Sequence, residues 1–240
     1  MVDRSEIIVT MTSIPERIEL DITPTIDSII SDKILTPDKL ILNLAKSQFP
    51  EMVVNLPEKL IEYIEHHENV EICWVDHDIK TYKKLIPTLM RYKDKPDTMI
   101  MTIDDDCLYE PGLLRGMVDL KSVSGPNSYV TTANLANFFN VPVPMGRCSM
   151  YTPNLFDTRI VSWLTDEIID LNEDDFFYAF IMFITGVLKS CRFYKTNIKP
   201  TQLSIIKPAN YNTYKTFDYY SNLVRTIINQ KSNMLSGVLT

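Results

Sequence analysis

The stretch MIMTIDDDCLYEP, residues 99–111, places three consecutive aspartates directly after an apolar run. Residues 98–103 form the most uniformly apolar run in the first half of the chain, which is typical of a central parallel strand that helices cover on both faces. The run stops at Asp104, Asp105 and Asp106. Because open α/β sheets bind ligands at the carboxyl ends of their strands, this stretch predicts a ligand site at the end of a buried strand.

Apolar runs alternate with helical patterns on both sides of this strand. The other predicted strands are residues 7–11, 39–44, 70–75 and 130–133. One predicted helix begins at residue 23, and two others cover residues 57–63 and 82–92. Strands and helices that alternate at these spacings indicate βαβ units. The fold class is therefore α/β, with a mostly parallel central sheet flanked by helices.

The second half of the chain has weaker patterns. Residues 134–152 contain two prolines and a glycine and are predicted to form a loop. Residues 176–188 carry no charge over thirteen positions, but about 20 residues are needed to span a bilayer. A buried helix is therefore predicted over residues 173–188, and a further helix over residues 221–229.

The charge of the chain is unevenly distributed. Its 240 residues are 45% apolar and 23% charged, a composition that suits one globular domain with a full core. The formal net charge is −7, yet eight basic residues and one acidic residue follow Leu188. We therefore predict an acidic catalytic domain at residues 1–188 and a basic, helical or irregular extension at residues 189–240.

The basic extension can meet an anionic partner, although a solvated surface explains its charge equally well. A lipid-linked acceptor or a membrane surface would supply such a partner. Nucleic acid is not expected, because the body of the chain is acidic. Residues 1–6 lack the basic start and long apolar stretch of a signal peptide, and the four cysteines are isolated. We therefore expect a cytoplasmic protein that makes peripheral contact with a membrane face.

Three adjacent carboxylates repel one another unless a divalent cation or several backbone donors neutralise them. An oxygen-only ligand set suits Mg²⁺ or Mn²⁺, with the remaining ligands supplied by water and a diphosphate. A nucleotide sugar carries such a diphosphate. The alternative is an acidic cap before a helix that begins at Pro111, but a cap needs only one aspartate.

Five segments follow one another in an order that is typical of one class of enzyme. They are VTMTSIPERI (residues 9–18), DKLILNLA (38–45), YKKLIPTL (82–89), MIMTIDDDCLYEP (99–111) and NEDDFFYAF (172–180). Together they resemble the GT-A class of glycosyltransferases, and more narrowly bacterial capsule or lipopolysaccharide transferases with giant-virus relatives. The resemblance implies a Rossmann-like GT-A fold, with a nucleotide-sugar half at about residues 1–110 and an acceptor half at about residues 111–188.

The same resemblance assigns the donor site. It implies that Asp106 is a metal ligand, that Asp104 contacts both the metal and the nucleotide, and that Asp105 also contacts the donor. The residues that it places around the base, the ribose and the diphosphate are Thr12, Ser13, Arg17 and Lys84. Surface charge is the alternative interpretation of the two basic residues. The expected donor is a UDP-sugar, with a GDP- or dTDP-sugar as the other choices.

Glu173, Asp174 and Asp175 resemble the acidic motif that supplies the general base in inverting members of this class. An acceptor hydroxyl is a poor nucleophile until its proton is removed, so the inverting reaction needs a carboxylate near the acceptor. We assign this role to Asp174 first and to Asp175 second. The alternative is that these acids only complement the dipole of a helix that begins here.

The predicted function is therefore transfer of a hexose or deoxyhexose from a nucleotide sugar to a hydroxyl of a glycan or lipid-linked saccharide, with inversion. Two alternatives stay open: a non-catalytic nucleotide- or carbohydrate-binding module, and another metal-dependent enzyme that uses nucleotides. Residues 12–17 contain no glycine, which disfavours a nucleotidyltransferase. The two acidic clusters disfavour a binding module, because unpaired carboxylates lower stability unless they serve a ligand. The three histidines all precede the aspartates, so the metal would depend on carboxylates, diphosphate and water.

Overall fold

The computed structural model describes residues 5–133, 137–138, 141–144, 146–206, 218–223 and 225–226. Its strands are β1 (Ile7–Thr12), β2 (Lys39–Ala45), β3 (Val70–Val75), β4 (Met99–Ile103), β5 (Cys107–Leu108), β6 (Ser128–Thr131), β7 (Asn137–Phe138), β8 (Val141–Pro142), β9 (Cys148–Tyr151), β10 (Ser190–Phe193) and β11 (Lys199–Pro200). Its helices are α1 (Pro15–Ile18), α2 (Thr23–Ile30), α3 (Glu58–Glu65), α4 (Ile86–Tyr92), α5 (Leu113–Ser124), α6 (Asp166–Leu171) and α7 (Asp174–Thr185).

The main sheet has seven strands in the order β10-β6-β9-β4-β1-β2-β3. All of its pairings are parallel except those of β9, which runs antiparallel to both β4 and β6. This arrangement confirms the predicted α/β fold with a mostly parallel central sheet flanked by helices. It also agrees with the GT-A-like architecture that the sequence resemblance implies.

Alternation along the buried strands builds one core on each face of the sheet. In β1, Ile8 belongs to the core that packs against α4 and α7, whereas Ile7 and Val9 belong to the core on the opposite face. Successive side chains of a strand point to opposite faces, so a run of apolar residues fills both cores. The uniformly apolar β4 is explained in the same way, because Ile100 and Met101 enter different cores.

A buried polar network links the sheet to the start of α4. Asn43 Nδ2 donates a hydrogen bond to Thr10 Oγ1 at 2.9 Å, and the Thr10 and Thr88 hydroxyls lie 2.7 Å apart. Thr10 Oγ1 also donates to the carbonyl of Lys84 at 2.8 Å. Lys84 ends the 3-10 turn Lys80–Lys84, so this network fixes its backbone at the edge of the sheet.

Two sequence predictions differ from the structure in extent. The helix predicted over 82–92 is a 3-10 turn followed by α4, because Pro87 suits the first turn of a new helix and not the interior of a longer one. The helix predicted over 173–188 ends at Thr185, where Gly186 adopts the left-handed conformation with φ 64°. Among the described residues, no helix is long and apolar enough to cross a membrane.

The prediction of a loop over residues 134–152 is wrong in two places: β7 and β8 pair with each other, and β9 is a buried strand of the main sheet. Four residues are too few to show a period, and β9 is stabilised by pairing with β4 and β6 and not by its own pattern. Residues 134–136, 139–140 and 145 of this segment lie outside the described residues.

Part of the predicted extension belongs to the main body. β10 pairs in parallel with β6 as an edge strand of the main sheet, and β11 pairs with β5 beside the aspartates. Tyr220 is fully buried in the core against α7. The predicted domain boundary at residue 188 stays a prediction. The regions on its two sides differ in charge and contribute strands to the same sheet. Of the predicted helix at 221–229, residues 221–223 and 225–226 are helical, and the remainder lie outside the described residues.

Candidate active site

The three aspartates lie where the parallel strands β1 and β4 end side by side. Thr10 in β1 pairs with Thr102 in β4, so the loops that follow the two strands leave from the same edge of the sheet. This edge is the carboxyl end of the strands, where α/β sheets bind ligands. The segments predicted to bind the donor are therefore neighbours in space.

Asp105 points into the protein. Its carboxylate accepts a hydrogen bond from Ser13 Oγ at 2.5 Å and pairs with Arg17, and its carbonyl accepts one from Thr25 Oγ1 at 3.0 Å. Burial raises the pKa of Asp105, and the charge of Arg17 and the Ser13 hydroxyl act against this rise. Asp105 thus anchors the aspartate loop, and its contact with the donor stays a prediction.

Arg17 has several ion-pair and hydrogen-bond partners within the protein. Besides Asp105, it lies 3.3 Å from Asp106 Oδ2, and its Nε donates to the carbonyl of Ile206 at 3.1 Å. Thr12 also has an internal partner, since its hydroxyl donates to the Asn43 carbonyl at 2.8 Å. The roles of Thr12, Ser13 and Arg17 in nucleotide binding stay predictions. The structure brings all three to the edge at which the aspartates lie.

Lys84 connects the two acidic clusters. Its Nζ lies 2.8 Å from Asp104 Oδ1 and 3.5 Å from Asp174 Oδ2. Burial by itself would lower the pKa of Lys84, but Asp104, Asp174 and Asp175 raise it well above the ordinary value. Lys84 is therefore charged at neutral pH. It holds together carboxylates that are 70 residues apart in the sequence.

Asp174 and Asp175 form the first turn of α7, where acidic residues complement the helix dipole. An acidic residue that only complements the helix dipole can remain exposed to solvent, whereas Asp174 is only 7% exposed. Its Oδ2 is buried and accepts no hydrogen bond from the described residues. Burial raises the pKa of both carboxyls, and Asp174 adds its charge to raise the pKa of Asp175 well above its usual range. The pair is therefore suited to take up a proton.

The aspartate loop also presents a group of atoms that suits a cation. Three possible ligand atoms lie within 4.8 Å of one another, one each from Asp104, Asp106 and Cys107. Burial raises the pKa of the Cys107 thiol to about 12, so the sulfur keeps its proton at neutral pH. The two carboxylates are the better ligands, and their oxygens suit a hard divalent ion such as Mg²⁺ or Mn²⁺. These are the two metal ligands that the sequence predicts.

Arg147 is a neighbour of this group that the sequence prediction missed. It precedes β9, and its NH1 donates a hydrogen bond to Cys107 Sγ at 2.8 Å. Its carbonyl accepts hydrogen bonds from the backbone N–H of Asp104 at 3.3 Å and from the Tyr109 hydroxyl at 2.8 Å. The signal available in the sequence was a basic residue within PMGRCSMYTP, residues 144–153. Only the antiparallel direction of β9 brings that residue to this edge.

A cavity of about 460 Å³ lies away from the acidic clusters. Arg159, Trp163 and Thr185 are among the residues that line it, and Thr185 is the last residue of α7. Asp174 is the first residue of the same helix, and a twelve-residue helix is about 18 Å long. The cavity is therefore separated from the candidate active site by about the length of α7.

No protein-family model matches the sequence, and no curated protein matches it. Among solved structures, 109 chains match the fold. One of them is a crystal structure of residues 1–349 of the glycosyltransferase TarS from S. aureus, with a TM-score of 0.49 and 9% identity. The match covers 82% of this chain and 61% of the TarS chain, so this chain spans less than two thirds of that protein's length. At this level the similarity carries no argument about the reaction.

Proposed function

We propose that this protein is a metal-dependent glycosyltransferase that moves a sugar from a nucleoside diphosphate sugar to an acceptor hydroxyl, with inversion. One observation carries the proposal: Lys84 lies 2.8 Å from Asp104 and 3.5 Å from Asp174, so the two acidic clusters form one site. One cluster suits a cation, and the other has a raised proton affinity. A metal-dependent, inverting transfer of a sugar from a diphosphate uses both properties.

The proposed reaction gives the two clusters separate roles. The acceptor oxygen forms a bond to the anomeric carbon as the bond from that carbon to the phosphate oxygen breaks, and the breaking bond leaves its electron pair on the phosphate. The acceptor proton passes to a carboxylate at the start of α7. Asp174 is the first choice for this base, because its buried Oδ2 accepts no hydrogen bond from the described residues and is held only by the ion pair with Lys84 at 3.5 Å. Asp175 is the second choice.

The other site residues bind and orient the donor. Asp104 and Asp106 are proposed to hold Mn²⁺ or Mg²⁺, which when bound neutralises the charge of the diphosphate leaving group. Lys84 orients Asp104 and Asp174 towards one another. Ser13 and Arg17 keep Asp105 inside the loop, while the end of β1 at Thr12 supplies polar groups to the nucleotide. The proposed acceptor is a glycan or a lipid-linked saccharide.

The test is a donor panel on the purified full chain. UDP-, GDP- and dTDP-sugars are incubated with Mn²⁺, Mg²⁺ or EDTA, and released nucleoside diphosphate and thermal stability are measured. We expect one donor to be hydrolysed slowly, and to stabilise the fold, only when metal is present. The Asp106→Asn variant should lower that rate by about 100-fold, because the metal ion that neutralises the leaving group loses one of its two carboxylate ligands.

The matched control is Asp119→Asn, which changes an exposed aspartate on α5 that pairs only with Arg115 among the described residues. It should leave hydrolysis and donor binding unchanged. If a nucleotide sugar binds but no sugar is released or transferred with any acceptor, the protein is a binding module. If no nucleotide binds with any metal, the proposed function is wrong and the aspartates are structural.

A further inference from the structure

Arg147 differs from the other two cations of the site in its partners. Arg17 pairs with Asp105 and Asp106, and Lys84 pairs with Asp104 and Asp174. Arg147 is exposed and has no carboxylate within ion-pair distance among the described residues. Its charge is therefore available to a ligand at this edge.

Arg147 makes a side-chain contact that it can exchange for contacts with a ligand. Its NH1 donates to Cys107 Sγ, the sulfur of a buried cysteine. A cysteine sulfur is a weak hydrogen-bond acceptor, whereas phosphate oxygens form strong, charge-assisted hydrogen bonds with a guanidinium. A guanidinium has five N–H donors in a planar fork, so it can bind two phosphate oxygens at once.

The backbone of Arg147 is held firmly beside the aspartate loop. Its carbonyl accepts hydrogen bonds from Asp104 and Tyr109, so residue 147 is fixed relative to the proposed metal ligands. The preceding residue, Gly146, packs so closely that a Cβ there would lie 2.5 Å from Thr132 Oγ1 and 2.7 Å from the Ala133 nitrogen. A glycine is therefore needed for the chain to enter β9 along this path.

A further cation would help the site to hold a diphosphate. Asp104 and Asp106 are partly exposed, and a donor diphosphate would add negative charge next to them. The divalent ion proposed there carries no more positive charge than its two carboxylate ligands carry negative charge. Lys84 and Arg17 are already neutralised by the carboxylates that they contact. We propose that Arg147 binds the phosphate groups of the donor, exchanging its contact with Cys107 for bonds to phosphate oxygens. This inference rests on the proposed function and adds a donor-binding residue to it.

The experiment compares a ligand that has phosphates with one that lacks them. UDP and uridine, or the corresponding pair for the base that the donor panel identifies, are titrated with Mg²⁺ by calorimetry and by ligand-observed NMR. The proteins are wild type, Arg147→Gln, Arg147→Lys and the control Arg159→Gln. Arg159 is an exposed arginine in an ion pair with Asp157, outside the acidic site.

We expect Arg147→Gln to weaken UDP binding by about tenfold to a hundredfold, because charge-assisted hydrogen bonds are lost. Uridine binding should change by less than twofold. Arg147→Lys should recover part of the UDP affinity, since it keeps the charge and loses the fork. Arg159→Gln should bind both ligands as the wild type does.

Two results would overturn the inference while leaving the proposed function intact. One is UDP binding by Arg147→Gln at the wild-type affinity. The other is an equal loss of UDP and uridine binding together with a lower melting temperature, which would assign Arg147 a structural role. If the wild-type protein binds none of the nucleoside diphosphates, both the proposed function and this inference are wrong.

Discussion

Arg17 joins three segments of the chain at one point. It pairs with Asp105 and Asp106 and donates to the carbonyl of Ile206, which is 189 residues away in the sequence. Its side chain is 12% exposed and that of Asp105 is 6% exposed, so both charges are largely removed from water. Removing the partner of a buried charge strongly lowers the stability of the protein, because the remaining charge is left uncompensated.

Replacement of Arg17 should therefore destabilise the protein. Arg17→Ala leaves the Asp105 carboxylate buried without its cation, and we expect the free energy of unfolding to fall by about 3 kcal/mol at pH 7. Urea denaturation followed by circular dichroism measures this loss. The control Arg115→Ala removes an exposed pair on α5 and should cost less than about 1 kcal/mol. Equal losses in the two variants would contradict the structural role of Arg17.

The carboxyls of Asp174 and Asp175 predict an unusual pH dependence of stability. Burial and mutual repulsion raise the pKa of Asp175 well above the ordinary value of 3.8. Its ionisation therefore opposes folding, and the opposition grows as pH rises from 3.8 to the raised pKa and is constant above it. Asp175→Asn should melt higher than wild type in EDTA at pH 7, and the difference should shrink towards pH 4.

Thermal unfolding across this pH range, with Asp119→Asn as the control, measures the effect. The same ionisation is needed for proton transfer, so wild-type turnover should fall as pH drops through the raised pKa of the pair. An Asp175→Asn variant that is no more stable than wild type at any pH would show that the ionised carboxyl does not oppose folding.

Strand β9 is the element that completes the site. It lies antiparallel between β4 and β6, so its first residues reach the edge where the parallel strands end. Arg147 immediately precedes it, and the contact of Arg147 with Cys107 spans 40 positions in the sequence. The entry into β9 thus positions one side of the candidate active site, while the start of α7 positions the other.

A methyl group at Gly146 should disturb this element specifically. Its Cβ would lie within 2.7 Å of backbone and side-chain atoms at residues 131–133, so Gly146→Ala should cost about 1–3 kcal/mol through overpacking. UDP binding should weaken as well, because Arg147 would move. Gly186→Ala is the matched control, since φ 64° strains alanine there but its Cβ meets nothing within 4 Å.

We expect the control to lose about 1 kcal/mol and to keep its nucleotide affinity. Urea denaturation and UDP titration separate these two outcomes. An affinity for UDP that is the same in Gly146→Ala and in the wild type would show that the path into β9 does not position the donor site.

At the scale of the whole molecule, the acidic body and the basic carboxyl-terminal segment share one sheet. Residues 190–193 form the edge strand beside β6, and Ile206 accepts hydrogen bonds from Arg17. Contact of the basic segment with a membrane stays a prediction. Substitution of its exposed lysines is a better test than truncation, because removal of the segment also removes part of the fold.

A chain that ends at Leu188 should therefore fail to fold. It loses β10, β11 and the buried Tyr220, and it exposes the edge of β6. We expect aggregation or loss of cooperative unfolding, measured by size-exclusion chromatography and circular dichroism. The full chain is the reference, and a truncated chain with a wild-type melting temperature would support a separate domain boundary at residue 188.

The sequence by itself determined the strands β1 to β4, the class of fold and the position of the aspartates at the end of β4. Apolar runs and strand-end polar residues are local features, so their meaning is contained in a few neighbouring positions. The sequence resemblance also named Lys84, Asp104 and Asp174, without indicating that they touch.

Only the tertiary structure decided how the parts of the site meet. The link from Lys84 to both acidic clusters, the direction of β9 and the place of Arg147 depend on residues 20 to 90 positions apart. The inward turn of Asp105 towards Arg17 is another such result, because three adjacent aspartates look alike in the sequence. Contacts between distant segments arise from the packing of whole elements, and a local pattern does not encode that packing.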